Sequence, residues 1–153
     1  MPDRNLIKIL RTTSDDPNFR ALVKFLDQDL ARRDGKDHAF FAQYNNLDTI
    51  RHAVVAYDNE LPGAIKEYDK YTMEVKRMYT LPESRGKGIA SLILSELEEW
   101  ATELSYSRCI LETGIRQPEA IRLYEKNSYQ LIPNYGQYKE VASSRCFEKH
   151  PGL

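Results

Sequence analysis

One continuous stretch, residues 73–104, predicts a strand, a tight loop and a helix in immediate succession. Residues 73–80 are mostly apolar, aromatic or β-branched, which is typical of a strand, and Pro82 ends it because proline cannot donate to a sheet ladder. From Ile89 onward the apolar residues recur with the spacing of an amphipathic helix that buries one face. These positions are Ile89, Leu92, Ile93, Leu97, Trp100, Ala101 and Leu104. The stretch therefore predicts a domain in which a helix packs on a sheet.

The loop between this strand and helix has the features of a phosphate cradle. Gly86 and Gly88 let the backbone adopt a positive φ and let a ligand come close. The first amides of a helix have no partner inside it, and the positive end of the helix dipole lies there. Arg85 and Lys87 add two cations, so the loop favours a phosphate-bearing ligand. An ordinary turn with solvated basic residues is the alternative interpretation of the loop alone.

Composition restricts the class of protein. A chain of 153 residues suits one domain with a core, and 41% hydrophobic with 29% charged residues is ordinary for a globular protein. A net charge of −1 argues against a nucleic-acid partner. Because there is neither a membrane-length apolar run nor a secretory leader, we expect no membrane partner and a cytoplasmic location. Neither the histidines nor Cys109 and Cys146 have metal-ligand spacing, so we expect no metal.

The pattern upstream of the loop predicts an antiparallel meander. Strands over residues 51–57, 64–68 and 73–80 are separated by turns, the first of them over residues 58–63. Met73 and Val75 share one face by alternation, but the next apolar residue, Met78, is one step out of phase. An extra residue near Lys76-Arg77 would produce this shift, so we expect a β-bulge there.

The remaining elements complete an α+β domain. Asn18 is expected to cap a helix that follows a strand at residues 5–11 and ends near Asp34. The aromatic segment 36–48 either lines an acceptor pocket or covers the core. A strand is predicted at residues 108–113, a helix from Pro118 to about Asn127, and strands at residues 129–132 and 144–148.

Two motifs resemble those of the GNAT (Gcn5-related) N-acetyltransferase family. Residues 85–90 are similar to its acyl-CoA loop, and Gln117-x-x-Ala120-x-x-Leu123-Tyr124, followed by Tyr129, is similar to its second motif. The resemblance covers residues 50–148 and places both motifs on the elements that the family uses. Two residues depart from the family pattern: Ser128 stands where glycine is usual, and Gln117 stands where asparagine is common.

The resemblance implies the fold and the activity. It implies an α+β, GNAT-like fold whose mixed, mostly antiparallel central sheet is splayed at a β-bulge and flanked by helices on both faces, with residues 1–153 as one acyl-CoA N-acyltransferase domain. It also implies an N-acetyltransferase that moves the acetyl group of acetyl-CoA to a primary amine of a small molecule, by direct attack in a ternary complex. Homodimers are frequent in such folds, so a homodimer stays open.

Site residues follow from the resemblance position by position. The backbone of Met78, Tyr79 and Thr80 would pair with the pantetheine arm. The residues expected at the pyrophosphate are Arg85, Gly86, Lys87, Gly88, Ile89 and Ala90, and Gln117 would add an amide contact. Tyr124 would donate to the thiolate, and Glu74 and Glu112 are the candidate bases, each with a structural role as its alternative.

Other functions on the same fold stay open at this point. A non-catalytic acyl-CoA sensor would not need Tyr124 and a nearby base, which favours the enzyme. A protein or peptide N-acetyltransferase would need an open groove, whereas the aromatic residues of the irregular segments indicate a closed pocket. These residues are Phe40, Phe41, Tyr44, Tyr135 and Tyr138. The acceptor amine, the base and the oligomeric state are not specified by the sequence.

Overall fold

The computed structural model describes residues 9–13, 15–34, 52–56, 61–76, 78 and 88–152. Within them the strands are β1 (Ile9–Thr12), β2 (His52–Ala56), β3 (Leu61–Asp69), β4 (Thr72–Lys76), β5 (Arg108–Gly114), β6 (Gln130–Ile132) and β7 (Ser144–Lys149). The helices are α1 (Pro17–Asp34), α2 (Ile89–Glu103) and α3 (Pro118–Lys126), with a 3-10 helix at Gly136–Tyr138. The predicted aromatic segment 36–48 and the start of the first predicted strand lie outside the described residues.

These strands form one mixed sheet. Their order across it is β1-β2-β3-β4-β5-β7-β6. Each described neighbour pair is antiparallel except β4 and β5, which run parallel. The α+β class and the mostly antiparallel sheet are therefore confirmed.

The sheet opens between its two parallel strands. The described register between β4 and β5 runs from Thr72–Arg108 to Glu74–Ile110. Beyond these pairs β4 continues beside β3 to Lys76, and β5 continues beside β7 to Gly114. The two strands thus separate after Glu74, which is the splay that the family resemblance implies.

The side chains at the end of β4 bear on the predicted phase shift. Met73 and Val75 belong to the core on one face of the sheet, and Met78 packs against that same core. Met78 lies beyond the end of β4 at Lys76, so its contact with this core agrees with the predicted shift in phase, and the β-bulge itself stays a prediction. Arg77, where the bulge was predicted, lies outside the described residues.

Helices cover both faces of the sheet. The core on the α1 face contains Phe19, Leu22, Val23, Ala53, Val55 and Ala64. The core on the opposite face joins α2 and α3 to alternate strand residues, including Val54, Ala56, Ile65, Leu111 and Phe147. Alternation between the two cores follows from the two-residue period of a strand.

The turn predicted at residues 58–63 is wrong at its end, because β3 begins at Leu61 and includes Pro62 and Gly63. The described β3–β4 register begins at Ala64–Lys76, so Pro62 does not interrupt that ladder. A Cβ at Gly63 would lie 2.7 Å from Cγ2 of Ile93. Glycine is therefore needed here for close packing of α2 on the sheet, and β3 is longer than predicted.

The capping residue of α1 differs from the predicted one, and the turn after α3 forms although serine replaces the usual glycine there. Asp16, and not Asn18, caps α1: its Oδ1 accepts hydrogen bonds from the backbone N–H of Asn18 (2.8 Å) and of Phe19 (3.3 Å). Pro17 then takes the first helical position, which suits its missing N–H. After α3 the turn into β6 forms with Ser128 at a φ of 72°, a conformation that favours glycine.

Candidate active site

Two carboxylates lie on the α1 face of the sheet, where its parallel strands separate. Met73 and Val75 on β4, and Leu111 on β5, belong to the core on the opposite face. Alternation therefore places Glu74 and Glu112 on the α1 face. The structure brings together these two candidate bases, which are 38 positions apart in the chain.

Glu74 is buried and has close polar neighbours. The hydroxyl of Tyr135 donates a hydrogen bond of 2.5 Å to its Oε2. The Nζ of Lys76 lies 3.9 Å from its Oε1, and Lys66 stands opposite it in the β3–β4 register. With 7% of its surface exposed, Glu74 is a carboxylate held in a defined place on the sheet.

Glu112 is held by the first residue of β7. The Oγ of Ser144 donates a hydrogen bond of 2.6 Å to its Oε2. Ser144 is fully buried, whereas Glu112 is half-buried and thus closer to solvent than Glu74. The two carboxylates therefore differ in both burial and hydrogen-bond donor.

The segment between β6 and β7 covers these carboxylates with tyrosines. Burial, followed by the negative charges of Glu112 and Glu74, raises the pKa of the Tyr138 hydroxyl above its ordinary value. Tyr138 thus lies within electrostatic reach of both carboxylates. The ring of Tyr135 contacts the rings of Tyr68 and Tyr138, with centroids 5.3 and 5.8 Å apart.

Tyr135 and Tyr138 were predicted as part of an aromatic set that indicates a closed pocket, and Ser144 was not predicted as a site residue. Their partners lie on other strands, 61 positions away for Tyr135–Glu74 and 32 positions away for Ser144–Glu112. No local pattern marks such pairs. The loop itself is fixed by Asn134, whose Nδ2 donates to the carbonyl oxygens of Val141 (3.0 Å) and Ser144 (3.2 Å).

Tyr124 reaches the same region from the opposite face. It lies on α3, is 5% exposed, and packs its ring against Tyr129 and Phe147 with centroids 5.8 and 6.2 Å away. Burial, and secondly the charge of Glu112, raise the pKa of its hydroxyl above the ordinary value. Tyr124 therefore stays protonated at neutral pH and lies within electrostatic reach of one predicted base.

The helix start that follows the glycine loop has the geometry of an anion site. Gly88 has a φ of 77°, as its predicted role requires, and nothing described lies within 4 Å of where its Cβ would stand. The N–H of Leu92 makes the first bond of the helix, to the carbonyl of Gly88 at 3.3 Å. Within the described chain no side chain caps this end, so the amides of Ile89 and Ala90 fit a phosphate.

Five of the predicted cofactor residues lie outside the described residues: Tyr79, Thr80, Arg85, Gly86 and Lys87. Of the others, Met78 packs its side chain against the core beneath α2, and Ile89 is 1% exposed in that core, which leaves their backbone groups as the candidate contacts. Gln117 precedes α3, and its carbonyl accepts from the N–H of Ala120 and Ile121. Its side chain makes no capping bond.

The two cysteines are structural in character. Both are buried free thiols. Burial raises the pKa of Cys109 to about 12 and that of Cys146 to about 11. A thiol with a raised pKa carries little of the thiolate form that acts as a nucleophile.

The described part of the chain has neither a metal-binding cluster nor a membrane-spanning helix. No group of three or more side chains there could hold a metal ion. No helix there has the length and apolar character needed to cross a membrane.

Comparisons of the sequence with known families and proteins agree with this geometry. The family model described as acetyltransferase (GNAT) family matches residues 9–129. The Escherichia coli protein named uncharacterized N-acetyltransferase YjgM is 36% identical over 84 residues, which cover 52% of this chain and 50% of that protein. The chain spans about half the length of the curated relatives it matches.

Solved structures extend the similarity over nearly the whole chain. A Klebsiella pneumoniae protein named as an acyl-CoA N-acyltransferase has a TM-score of 0.76 and 29% identity, with 95% of this chain and 97% of that one covered. A GNAT family acetyltransferase of Elizabethkingia anophelis with acetyl-CoA bound has a TM-score of 0.69 and 16% identity, covering 96% and 99% of the two chains. The second similarity concerns the fold alone.

Proposed function

This chain belongs to the acetyltransferase (GNAT) family, and we propose that it transfers the acetyl group of acetyl-CoA to a primary amine of a small molecule. One observation carries the proposal: Glu74 and Glu112 lie on the two parallel strands where these separate, and the buried Tyr124 lies within electrostatic reach of Glu112. Tyr124 comes from α3, Glu74 from β4 and Glu112 from β5. Such a constellation supplies both a proton acceptor and a hydrogen-bond donor at one place.

The start of α2 supports the choice of acetyl-CoA as acetyl donor. The amides of the first helical turn, which no side chain of the described residues caps, and the left-handed Gly88 suit a pyrophosphate. We infer that Arg85, Gly86 and Lys87 complete this site, that Met78, Tyr79 and Thr80 pair with the pantetheine arm through their backbone, and that Gln117 adds an amide contact. Acetyl-CoA supplies an activated thioester, and the structural relative from Elizabethkingia anophelis contains this molecule.

Glu74 is the base that we assign to the acceptor amine. An alkyl amine has an ordinary pKa of about 10, so it must lose a proton before or during attack. Glu74 is the last residue of β4 paired with β5, so its carboxylate stands at the opening between the strands. It accepts the amine proton, directly or through water, as nitrogen bonds to the acetyl carbon and the carbon–sulfur bond breaks.

Tyr124 acts on the leaving sulfur as a hydrogen-bond donor. Burial and Glu112 raise its pKa, which keeps the hydroxyl protonated. A thiol has an ordinary pKa of about 8.5, so full transfer of the tyrosine proton to a thiolate is uphill. We infer that Tyr124 stabilises the developing thiolate through a hydrogen bond and that Glu112 favours the protonated form of the Tyr124 hydroxyl. The proton that Glu74 accepts from the amine then protonates the thiolate, and coenzyme A leaves as the free thiol.

A coenzyme A release assay tests the proposal. Wild-type protein and acetyl-CoA are incubated with alkylamines, polyamines, aminoglycosides, amino acids and peptides, and the free thiol is measured. We expect release that depends on a small amine. Release with peptides alone would favour a protein N-acetyltransferase, and tight coenzyme A binding without release would favour the sensor.

The single domain over residues 1–153, the cytoplasmic location and the homodimer stay predictions.

A further inference from the structure

We propose that Tyr135 is a positioning residue that fixes the carboxylate of Glu74 for proton transfer, an inference that rests on the proposed acetyl transfer. Tyr135 lies in the loop between β6 and β7, far along the chain from Glu74 on β4. It acts through Glu74 and not on the acetyl group itself. Tyr135 lies outside the two family motifs at residues 85–90 and 117–129, and the family resemblance assigns it no role.

The contact between the two side chains is short and largely shielded from water. The Tyr135 hydroxyl lies 2.5 Å from Oε2 of Glu74, and Glu74 is 7% exposed. A hydrogen bond to a charged acceptor in such surroundings is stronger than one between neutral groups. Burial and the Glu74 charge raise the pKa of Tyr135, so the hydroxyl keeps its proton and remains the donor.

The loop holds Tyr135 in place independently of Glu74. The preceding residue, Asn134, anchors the loop because its Nδ2 donates to the backbone carbonyl oxygens of Val141 and Ser144. The Tyr135 ring is in edge contact with Tyr68 on one side and Tyr138 on the other. A donor fixed by its own neighbours can orient a carboxylate, because the geometry does not depend on the carboxylate being present.

Lys76 explains why Glu74 needs such a donor. Its Nζ lies 3.9 Å from Oε1, too far for a hydrogen bond but close enough to attract the carboxylate. Without the Tyr135 hydroxyl, Glu74 is expected to turn toward Lys76 and form a closer ion pair. The carboxylate would then be less available to an amine at the opening between β4 and β5.

The chain contains a matched control for this contact. The hydroxyl of Tyr106 also donates to a glutamate, Oε1 of Glu67 on β3, but at an exposed position. Tyr106→Phe therefore removes the same kind of hydrogen bond at a place to which no role in acetyl transfer is assigned. Tyr135→Phe keeps the ring and its contacts and deletes only the hydroxyl.

The test compares initial rates of wild type, Tyr135→Phe, Tyr106→Phe, Glu74→Gln and the Tyr135→Phe/Glu74→Gln double variant, with the best amine of the release assay. Melting temperatures of all five proteins verify folding. We expect Tyr135→Phe to lower kcat about 10-fold, the scale of one charge-assisted hydrogen bond, with the KM for acetyl-CoA unchanged. Tyr106→Phe should match wild type. In the Glu74→Gln background the Tyr135 substitution should add no further loss.

Two results would overturn the inference while leaving the proposed function intact. One is an active wild type with a Tyr135→Phe variant of equal kcat. The other is an equal loss from Tyr135→Phe in the wild-type and Glu74→Gln backgrounds, since the hydroxyl would then act without Glu74. A wild type that acetylates no amine overturns the proposed function and this inference together.

Discussion

Ser105 and Ser128 share one backbone conformation, a φ of 72°, and each stands one residue beyond the C-cap of a helix. At both ends the next N–H bonds back into the last turn: Tyr106 to the carbonyl of Ala101, and Tyr129 to that of Tyr124, each at 3.0 Å. The serines themselves donate to Thr102 and Glu125. These bonds define a Schellman motif, in which glycine is the usual residue at the left-handed position.

Ser128→Gly and Ser105→Gly are each expected to stabilise the protein by about 1 kcal/mol, because a left-handed conformation costs a side-chain-bearing residue about that much. Thermal unfolding should register each change as a rise in Tm of about 2–4 °C. Ser95→Gly, at an exposed position inside α2, is the control and should lower Tm. A fall in Tm for both cap variants would contradict the strain assigned to these serines.

Gly63→Ala should destabilise the protein by about 1–3 kcal/mol, the usual range for overpacking a core. The added Cβ would lie 2.7 Å from both Ile93 Cγ2 and Met78 Sδ, so α2 or the strand must shift. Urea denaturation provides the measurement. A smaller cost of Gly63→Ala in an Ile93→Ala background, which lacks the contacting Cγ2 methyl, would support the steric cause, and an unaffected single variant would disprove it.

The two carboxylates are expected to contribute unequally to turnover. Glu74→Gln should lower kcat about 100-fold, the lower range for a general base, whereas Glu112→Gln should cost less because Glu112 acts on Tyr124. Steady-state kinetics at saturating acetyl-CoA measure both. Glu140→Gln, an exposed change in the loop before β7, is the control. A larger loss for Glu112→Gln would indicate that Glu112 on β5, and not Glu74 on β4, is the base.

The buried thiols should make stability fall in alkaline solution. Burial raises the pKa of Cys109 from 9.0 to about 12, so between these values the folded state keeps a proton that the unfolded chain loses. The resulting stabilisation is full below about pH 9 and is lost as pH rises toward 12. Urea midpoints measured across this window should therefore decline, with a smaller slope in Cys109→Ala. An unchanged slope would contradict the burial effect.

Periodic patterns were sufficient to predict the α+β class and most of the strands and helices. Met73, Val75 and Met78 were identified by spacing alone, and they do face one core. Gly63 was predicted to lie in a turn because glycine and proline usually mark turns and loops. Its actual reason is the approach of Ile93, which lies 30 positions away in a different element. Local propensity contains no information about such contacts.

The candidate site likewise contains residues that the sequence could indicate and residues that it could not. Tyr124 and the glycine loop follow motifs with fixed local spacing, so the sequence could indicate them. The Tyr135–Glu74 and Ser144–Glu112 bonds join residues of separate strands and depend on the final packing. The acceptor amine is specified by such packing, and its identity is therefore left to experiment.

Transfer of a labelled acetyl group is the most direct test of the central claim. Protein, acetyl-CoA labelled in the acetyl group and an amine from the release assay are incubated, and the label is followed in coenzyme A, amine and protein. We predict that label appears in the amine in step with free coenzyme A, that none stays on the protein, and that Tyr124→Phe slows both products equally. Label that stays in acetyl-CoA with every amine would contradict the account.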